Sequence, residues 1–289
     1  MLAGVLLGLG ASVSWALANV AVARSAKQAG VFSALLWSQL VGVALLAEFA
    51  LYYDYRPSPM TATIVAWTVG AGFASLLAYV CLFYAFQHGR LSIAVPIMSS
   101  WAVISAGISV AVLGERVRAG QLVGAALVVL GVLLVSHHAR GAAKEDEGGR
   151  SDRPRWLLAS VGAAIGFGVL IPAIGQIASA TGRLGSVCVV YVTEIALGLP
   201  LALMFRVRLG PPPASAWPAV FLAGLFETAG FACIALAVGR APLALVSPLS
   251  SLASALTVLY AWLVLGDRPP LIVAMGAALA CAGIVIVAI

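Results

Sequence analysis

The chain has 289 residues, of which 63% are hydrophobic and 9% are charged, and its formal net charge is +6. About 25% of the residues in a typical soluble domain are charged, so this composition excludes an ordinary soluble fold. The basic residues are spread singly and form no patch with interleaved aromatic side chains, which argues against nucleic-acid binding. We therefore expect a protein whose surface faces lipid.

Apolar stretches long enough to cross a bilayer recur ten times. About 20 helical residues span the ~30 Å of hydrocarbon in a membrane. Short connections containing proline and glycine separate most of these stretches, and such residues are typical of turns. The sequence therefore predicts an all-α polytopic membrane protein with ten transmembrane helices. In chain order, the predicted helices are Ala3–Val22, Val31–Leu51, Thr63–Phe86, Leu91–Leu113, Gln121–Ser136, Trp156–Ala178, Ser186–Phe205, Trp217–Val238, Leu243–Leu265 and Leu271–Ala288.

One polar segment divides the ten predicted helices into five and five. It covers residues 137–155 and is the one long polar stretch in the chain. The predicted units are therefore a first repeat at 1–136, a linker at 137–155 and a second repeat at 156–289. An odd number of helices per repeat means that the second repeat enters the membrane in the opposite orientation, which is the inverted-repeat arrangement of many transporters.

The two repeats also match each other in sequence. At an offset of 152 residues, the matched pairs are Pro96 and Pro248, Leu113–Arg116 and Leu265–Arg268, Gly10 and Gly162, and Trp15 and Phe167. At an offset of 150 residues, they are Trp67 and Trp217, and Gly89-Arg90 and Gly239-Arg240. Such internal symmetry is typical of secondary transporters, whose substrate site lies between the repeats.

These repeated motifs resemble the EamA repeat of the drug/metabolite transporter superfamily. The resemblance covers both repeats and implies ten helices in two inverted five-helix repeats around a central cavity. It also implies cytoplasmic termini, transport of a small metabolite and a place in the bacterial inner membrane. We interpret GxxxG pairs such as Gly4 and Gly8 as packing within one chain, so we expect a monomer. The motifs that carry the match are Ala85-Phe86, Gly89-Arg90, Pro96, Leu113–Arg116, Gly124 and Gly131, and then Ala235-Leu236, Gly239-Arg240, Pro248, Leu265–Arg268, Gly276 and Gly283.

Three acidic residues lie within predicted helices. Glu48 is near a helix end, whereas Glu194 and Glu227 are near the middle of the seventh and eighth helices. A charge at the bilayer centre costs ~2.5–3.5 kcal/mol on insertion scales, and no basic residue lies at the same depth. We therefore predict that Glu194 and Glu227 bind a transported proton or the cationic group of a substrate. The alternative is a permanently protonated structural carboxyl group. The first repeat has no acid at the equivalent positions, Gly42 and Leu77.

Aromatic and small polar side chains share faces of the predicted helices. Tyr191 lies three residues before Glu194, and an aromatic ring beside a carboxylate suits an ammonium group through cation–π attraction and charge. The alternative is that the small polar residues pack helices and the aromatic rings fill gaps. The predicted substrate-binding residues are Trp15, Asn19, Tyr79, Trp101, Ser105, Tyr191 and Ser251.

Three prolines lie within predicted helices. Pro96, Pro172 and Pro248 each remove a backbone donor and bend the helix that contains them. Because Pro96 and Pro248 are equivalent in the two repeats, we predict that they are paired hinges. Pro172 is predicted as a third hinge, with a static kink as the equal alternative.

The leading hypothesis is a secondary active exporter of a small amine- or amino-acid-like metabolite, which works by alternating access with possible proton antiport. The alternative is gradient-independent exchange or uniport of a neutral or zwitterionic solute. A membrane-embedded lipid-modifying enzyme would need catalytic groups clustered at the interface, and the sequence offers only scattered arginines there. We expect no enzymatic activity, cofactor or metal, and the expected partners are the substrate, the bilayer and protons.

Overall fold

The computed structural model describes residues 2–50, 59–113, 153–207, 209–237, 252–263 and 271–288, with scattered positions at 120–134 and at 240, 246, 249 and 250. The described residues are mainly helical and include no β-strand. The helices are α1 (Leu2–Ala29), α2 (Val31–Phe49), α3 (Ala62–His88), α4 (Leu91–Met98), α5 (Trp101–Leu113), α6 (Arg153–Thr181), α7 (Arg183–Met204), α8 (Trp217–Ala237), α9 (Ala253–Leu263) and α10 (Leu271–Ala288).

Six described helices are long and apolar enough to cross a membrane, and they correspond to the predicted first three spans and to the sixth, seventh and eighth. Large apolar side chains such as Phe73 and Leu158 are exposed on them, as a lipid-facing surface requires. The predicted fifth span is described only at scattered positions, which are helical, and α9 covers part of the predicted ninth. The count of ten helices therefore stays a prediction.

The predicted fourth span is not one helix, because it breaks at Ser99 and Ser100 into α4 and α5. Pro96 lies inside α4 and supplies no backbone N–H. The Ser99 hydroxyl donates to the carbonyl of Val95 at 3.0 Å, and that of Ser100 to the carbonyl of Ile97 at 2.8 Å. The backbone N–H of Ser100 also bonds to Ile97, three residues back rather than four, at 3.2 Å. The chain therefore tightens into a turn three residues after the proline.

The first turn of each repeat has the same backbone geometry. Gly30 precedes α2 with φ 80°, and Gly182 precedes α7 with φ 83°. This left-handed region is open to glycine at no steric cost but is costly for residues with a side chain. The two glycines are 152 residues apart, so the structure places them at equivalent points of the two repeats.

The repeats pack on each other reciprocally. The first helix of each repeat packs mainly against the third helix of the other, α1 against α8 and α6 against α3. A side chain built on Gly10 would meet the sulfur of Cys233, and one built on Gly162 would meet the sulfur of Cys81. The two contacts are equivalent, because Gly162 and Cys233 lie 152 residues after Gly10 and Cys81. Reciprocal contacts of this kind are typical of a two-fold symmetric interface.

This packing corrects the sequence alignment in the third helix of each repeat. Cys81 and Cys233 occupy equivalent places, so the offset within α3 and α8 is 152 residues and not 150. The residue equivalent to Glu227 is therefore Ser75, and not Leu77. Trp67 and Trp217 therefore do not occupy equivalent places, because each lies on the same helix as its cysteine and no connection separates the two.

The second helices of the two repeats run antiparallel to each other. Gln39 of α2 bonds to Glu194 of α7, whereas Gly42, one turn further along α2, faces Tyr191, one turn earlier on α7. Equivalent helices that run in opposite directions are what inverted repeats require.

The connection between α7 and α8 is fixed to the first repeat. The carbonyl oxygen of Gly210 accepts hydrogen bonds from the Ser33 hydroxyl at 2.8 Å and from the Trp37 indole N–H at 3.2 Å. The Trp37 ring also packs edge-on against Trp217, with centroids 5.2 Å apart. The start of α8 is thereby held against α2.

Candidate functional site: a central cavity and a side cleft

A cavity lies between the two repeats, with an empty volume of about 530 Å³. The cavity brings together four of the predicted site residues: Trp15, Asn19, Trp101 and Glu227. Its described lining consists of Trp15, Asn19, Leu82, Val95, Met98, Ser99, Trp101, Phe167, Ile171, Glu227, Phe231, Ser250, Ala253 and Ser254.

Equivalent positions of the two repeats face each other across this cavity. Trp15 and Phe167 are equivalent and both line it, as do Trp101 and Ala253. The cavity therefore lies between matching parts of the two repeats, but the two repeats contribute different chemical groups to it. Glu227 is the one carboxyl group among the described lining residues.

Aromatic rings form one wall of the cavity. The Trp15 ring packs edge-on against Phe231 and Trp101, with centroids 5.1 and 6.0 Å apart. Its buried indole N–H has no hydrogen-bond partner in the described part of the chain, and the ring lies directly over Gly230, where any side chain would collide with it. The faces of such rings carry negative potential and attract cations.

Glu227 is 8% exposed and lies beside this aromatic wall. The hydroxyl group of Tyr79 donates a hydrogen bond to its Oε2 at 3.1 Å. Within the described ranges, no Lys, Arg or His forms an ion pair with it. A carboxylate without a basic partner at this depth needs a proton, water or a bound cation to offset its charge.

Two predicted binding residues lie one layer behind the cavity. Tyr79 and Tyr191 are each 1% exposed and do not appear in the described lining. Their rings pack at 6.5 Å, and Tyr79 also packs edge-on against Phe167 at 5.2 Å. Tyr79 therefore supports Glu227 through its hydroxyl group. The Tyr191 hydroxyl lies near the hydroxyl groups of Tyr79 and Thr228 but makes no hydrogen bond of ordinary geometry among the described residues.

Glu194 lies outside the described lining of the central cavity, in a second cleft between α2 and α7 with an empty volume of about 380 Å³. It is 2% exposed. The Gln39 amide nitrogen donates to both carboxyl oxygens at 3.2 Å, and the Ser75 hydroxyl donates to Oε2 at 2.6 Å. The two mid-membrane acids thus face different spaces. By contrast, Glu48 is exposed near the end of α2.

The remaining predicted residues are dispersed. Ser105 is buried on α5 but is absent from the described cavity lining. Pro96 lies beside the lining residue Val95, and Pro172 lies inside α6. Ser251 and Pro248 fall outside the described residues. Over the described ranges, no group of three or more His, Cys, Asp or Glu could hold a metal ion.

Sequence reasoning did not single out most residues of these two sites, and four of those missed have clear roles. Phe167 and Phe231 line the cavity, and Gln39 and Ser75 hold Glu194. A signal existed for Phe167, because it is equivalent to Trp15 in the repeat. No local signal marked Gln39 or Ser75, because both bonds join segments more than 100 residues apart in sequence.

The model of the EamA-like transporter family matches residues 2–137 and 154–289. The chain therefore belongs to the EamA-like transporter family, a family of membrane transporters, and carries two copies of its repeat. This confirms the resemblance drawn from the repeated motifs.

A solved structure, described only as the crystal structure of a protein, matches with a TM-score of 0.69 at 19% sequence identity. The match covers 98% of this chain and 96% of the other, and it shows a shared fold. No curated protein matches the chain.

Proposed function

We propose that this protein is a secondary active transporter in the bacterial inner membrane, which exports a small amine-like metabolite in exchange for protons. The observation that carries the proposal is the position of Glu227, an acid without a described basic partner, in a cavity with aromatic walls between the repeats.

A carboxylate next to aromatic rings suits an ammonium group. The charge of Glu227 attracts the cation, and the faces of Trp15 and Trp101 add cation–π attraction of about 0.5–2 kcal/mol. A bound cation also offsets the cost of the buried charge. When the cation leaves, a proton that binds to one of the two buried acids replaces the lost positive charge, so exchange of cation for proton leaves the total charge of the two acids and their ligands unchanged.

The irregular backbone beside the cavity supports alternating access. The turn at Ser99 and Ser100 divides the fourth span at the depth of the lining residues Met98 and Trp101. A break of this kind, together with Pro96, gives two shorter segments that rotate more readily than one continuous helix. Pro172 and Pro248 remain proposed hinges.

The alternative substrate is a neutral or zwitterionic solute that moves without protons. Asn19 and Ser99 line the cavity and supply hydrogen-bonding groups for such a solute. The Asn19 amide nitrogen donates one of its two N–H groups to Thr257 at 3.0 Å, so its other N–H and its carbonyl oxygen are left to bind a solute. The chain belongs to a transporter family, which argues against the alternative of a lipid-modifying enzyme.

The experiment uses two probes that share a ring, phenyltrimethylammonium and zwitterionic phenylalanine. The quaternary cation has a fixed charge, so it does not leak through lipid as a neutral base. Proteoliposomes with an acidic interior should accumulate the cation, and exchange of one proton per cation supports about tenfold accumulation per pH unit.

Glu227→Gln should abolish this accumulation, because the amide binds neither cation nor proton. Glu48→Gln is the matched control and should accumulate the probe normally. Phenylalanine flux that ignores the pH gradient and survives Glu227→Gln would overturn the proposal in favour of the neutral or zwitterionic alternative.

A further inference from the structure

We propose that Glu194 is a separate protonation site in the cleft between α2 and α7, connected to the substrate carboxylate Glu227 through α3. The inference rests on the proposed function and assigns the two acids different tasks. Glu227 binds the cationic substrate, and Glu194 binds the proton that drives transport.

The surroundings of Glu194 respond to its protonation. Both of its partners donate hydrogen bonds, from the Gln39 amide and the Ser75 hydroxyl. An ionised carboxylate accepts both sets of bonds, whereas a protonated carboxyl group must itself donate one. Gain of a proton therefore requires Gln39 or Ser75 to turn and accept. Because these residues lie on α2 and α3, protonation changes how at least one of these helices is held to α7.

The cleft gives Glu194 its own route to one side of the membrane. Its lining runs from Glu194 to Phe32, at the start of α2, and to Leu209, in the connection between α7 and α8. The bonds of Ser33 and Trp37 to Gly210 place these two segments side by side. A proton that enters at this end reaches Glu194 without passing the substrate in the central cavity.

A single turn of α3 joins the two acids. Ser75 donates to Glu194, and Tyr79, four residues later on the same helix face, donates to Glu227. A small rotation or slide of α3 therefore alters both bonds together. This is a physical element through which occupancy of one site changes the affinity of the other, as coupling between two ligands requires.

Other ionisable groups around Glu194 are few. Glu227, from α8, acts on Glu194 electrostatically, and Glu194 in turn acts on Tyr79 of α3 and on Tyr191 of α7. No Lys, Arg or His bonds to it in the part of the chain that the structure describes. The charge of Glu194 is thus offset by neutral donors alone, which suits a group that gains and loses a proton during the cycle.

The first test separates uphill transport from exchange. In proteoliposomes, phenyltrimethylammonium is followed in two assays: accumulation driven by a pH gradient, and exchange of labelled for unlabelled probe at equal pH. Glu194→Gln should reduce accumulation from about tenfold per pH unit to none and should keep exchange. Glu227→Gln should lose both, and Glu48→Gln should keep both. Accumulation by Glu194→Gln at the wild-type level, or equal loss of both activities, overturns the inference.

A second variant tests the inference even if the Glu194→Gln protein does not fold. Ser75→Ala removes one donor to Glu194 and should lower the accumulation ratio more than the exchange rate. Ser160→Ala is its control and should change neither activity. Among the described residues, that buried hydroxyl bonds only to Trp156 of its own helix, at 2.9 Å. If Ser75→Ala lowers both activities in proportion, its role is structural and the link through α3 is wrong.

The third test needs no transported solute. Dicyclohexylcarbodiimide modifies protonated carboxyl groups in apolar surroundings, and mass spectrometry of peptides locates the modified residue. Modification of Glu194 should fall as pH rises. Phenyltrimethylammonium should move that fall to lower pH through the coupling but should not block modification of Glu194 at low pH, whereas it should block modification of Glu227. Absence of modification at Glu194 at every pH, or equal protection of both acids, overturns the inference. Modification of Glu194 as expected, without any transport, would contradict the proposed function alone.

Discussion

Gly230 controls the position of Trp15 in the cavity wall, and Gly230→Ala tests that position without removing the ring. A methyl group at this site would lie 2.5 Å from Cδ1 and 2.9 Å from Cε2 of Trp15. Ordinary contacts between carbon atoms are about 3.5–4.0 Å, so the ring must move by roughly 1 Å. Phe231 and Trp101 pack against two of its sides, and the cavity is the open space into which it can move.

The expected magnitude follows from the contact that the shift removes. Loss of a desolvated cation–π contact costs about 1–2 kcal/mol, which corresponds to a rise of about fivefold to thirtyfold in the KM for phenyltrimethylammonium. Forcing a methyl group into a packed site also destabilises the fold by about 1–3 kcal/mol, so Tm should fall as well. Both are measured on the purified protein, the KM by exchange in proteoliposomes and the Tm by thermal unfolding in detergent.

The control is Gly175→Ala, on α6, where an added methyl group meets no atom within 4 Å. It should leave KM unchanged and should not lower Tm, because alanine is more favourable than glycine inside a helix. In a Trp15→Ala background, Gly230→Ala should raise KM no further, because the ring it displaces is absent. An unchanged KM for a folded Gly230→Ala protein would refute the placement of Trp15 at the substrate.

Two further predictions concern the tyrosines and the orientation of the repeats. Tyr79→Phe should lower pH-driven accumulation, because it removes the hydroxyl group that donates to Glu227, whereas Tyr191→Phe should leave it unchanged; equal losses in the same flux assay would contradict these roles. Single cysteines that replace Arg90 and Arg240, in a protein without the four native cysteines, should react with an impermeant thiol reagent from opposite sides of the membrane. Reaction of both from one side in intact cells would contradict the inverted arrangement.

Hydropathy predicted six of the described helices, and most of their predicted ends lie within a few residues of the ends in the structure. The reason is physical: a backbone in lipid must satisfy its hydrogen bonds internally, so an apolar run of spanning length forms a helix. The same pattern could not show the break after Met98. That turn depends on the hydroxyl groups of Ser99 and Ser100 bonding to nearby carbonyls, and in sequence these residues look like ordinary small packing residues.

The sequence predicted chemical groups of the candidate site, but it did not predict how deeply each side chain is buried. Glu227, Trp15 and Trp101 were found because acids and aromatic residues at mid-membrane are unusual. Helical spacing assigns a residue to a face, but it does not show whether the neighbouring helix covers that face. Tyr79 and Tyr191 therefore lie a layer deeper than predicted, since Phe167 and Phe231 pack between the helices around them.

The reciprocal contacts of Gly10 with Cys233 and of Gly162 with Cys81 bear on the origin of the protein. Each repeat carries both surfaces of the interface, the glycine of its first helix and the cysteine of its third. A single-repeat ancestor with these two surfaces would already fit a second copy of itself inserted in the opposite direction. Gene duplication and fusion would then preserve a working assembly. It would also free one copy to acquire an acid at position 227, where its sister keeps Ser75.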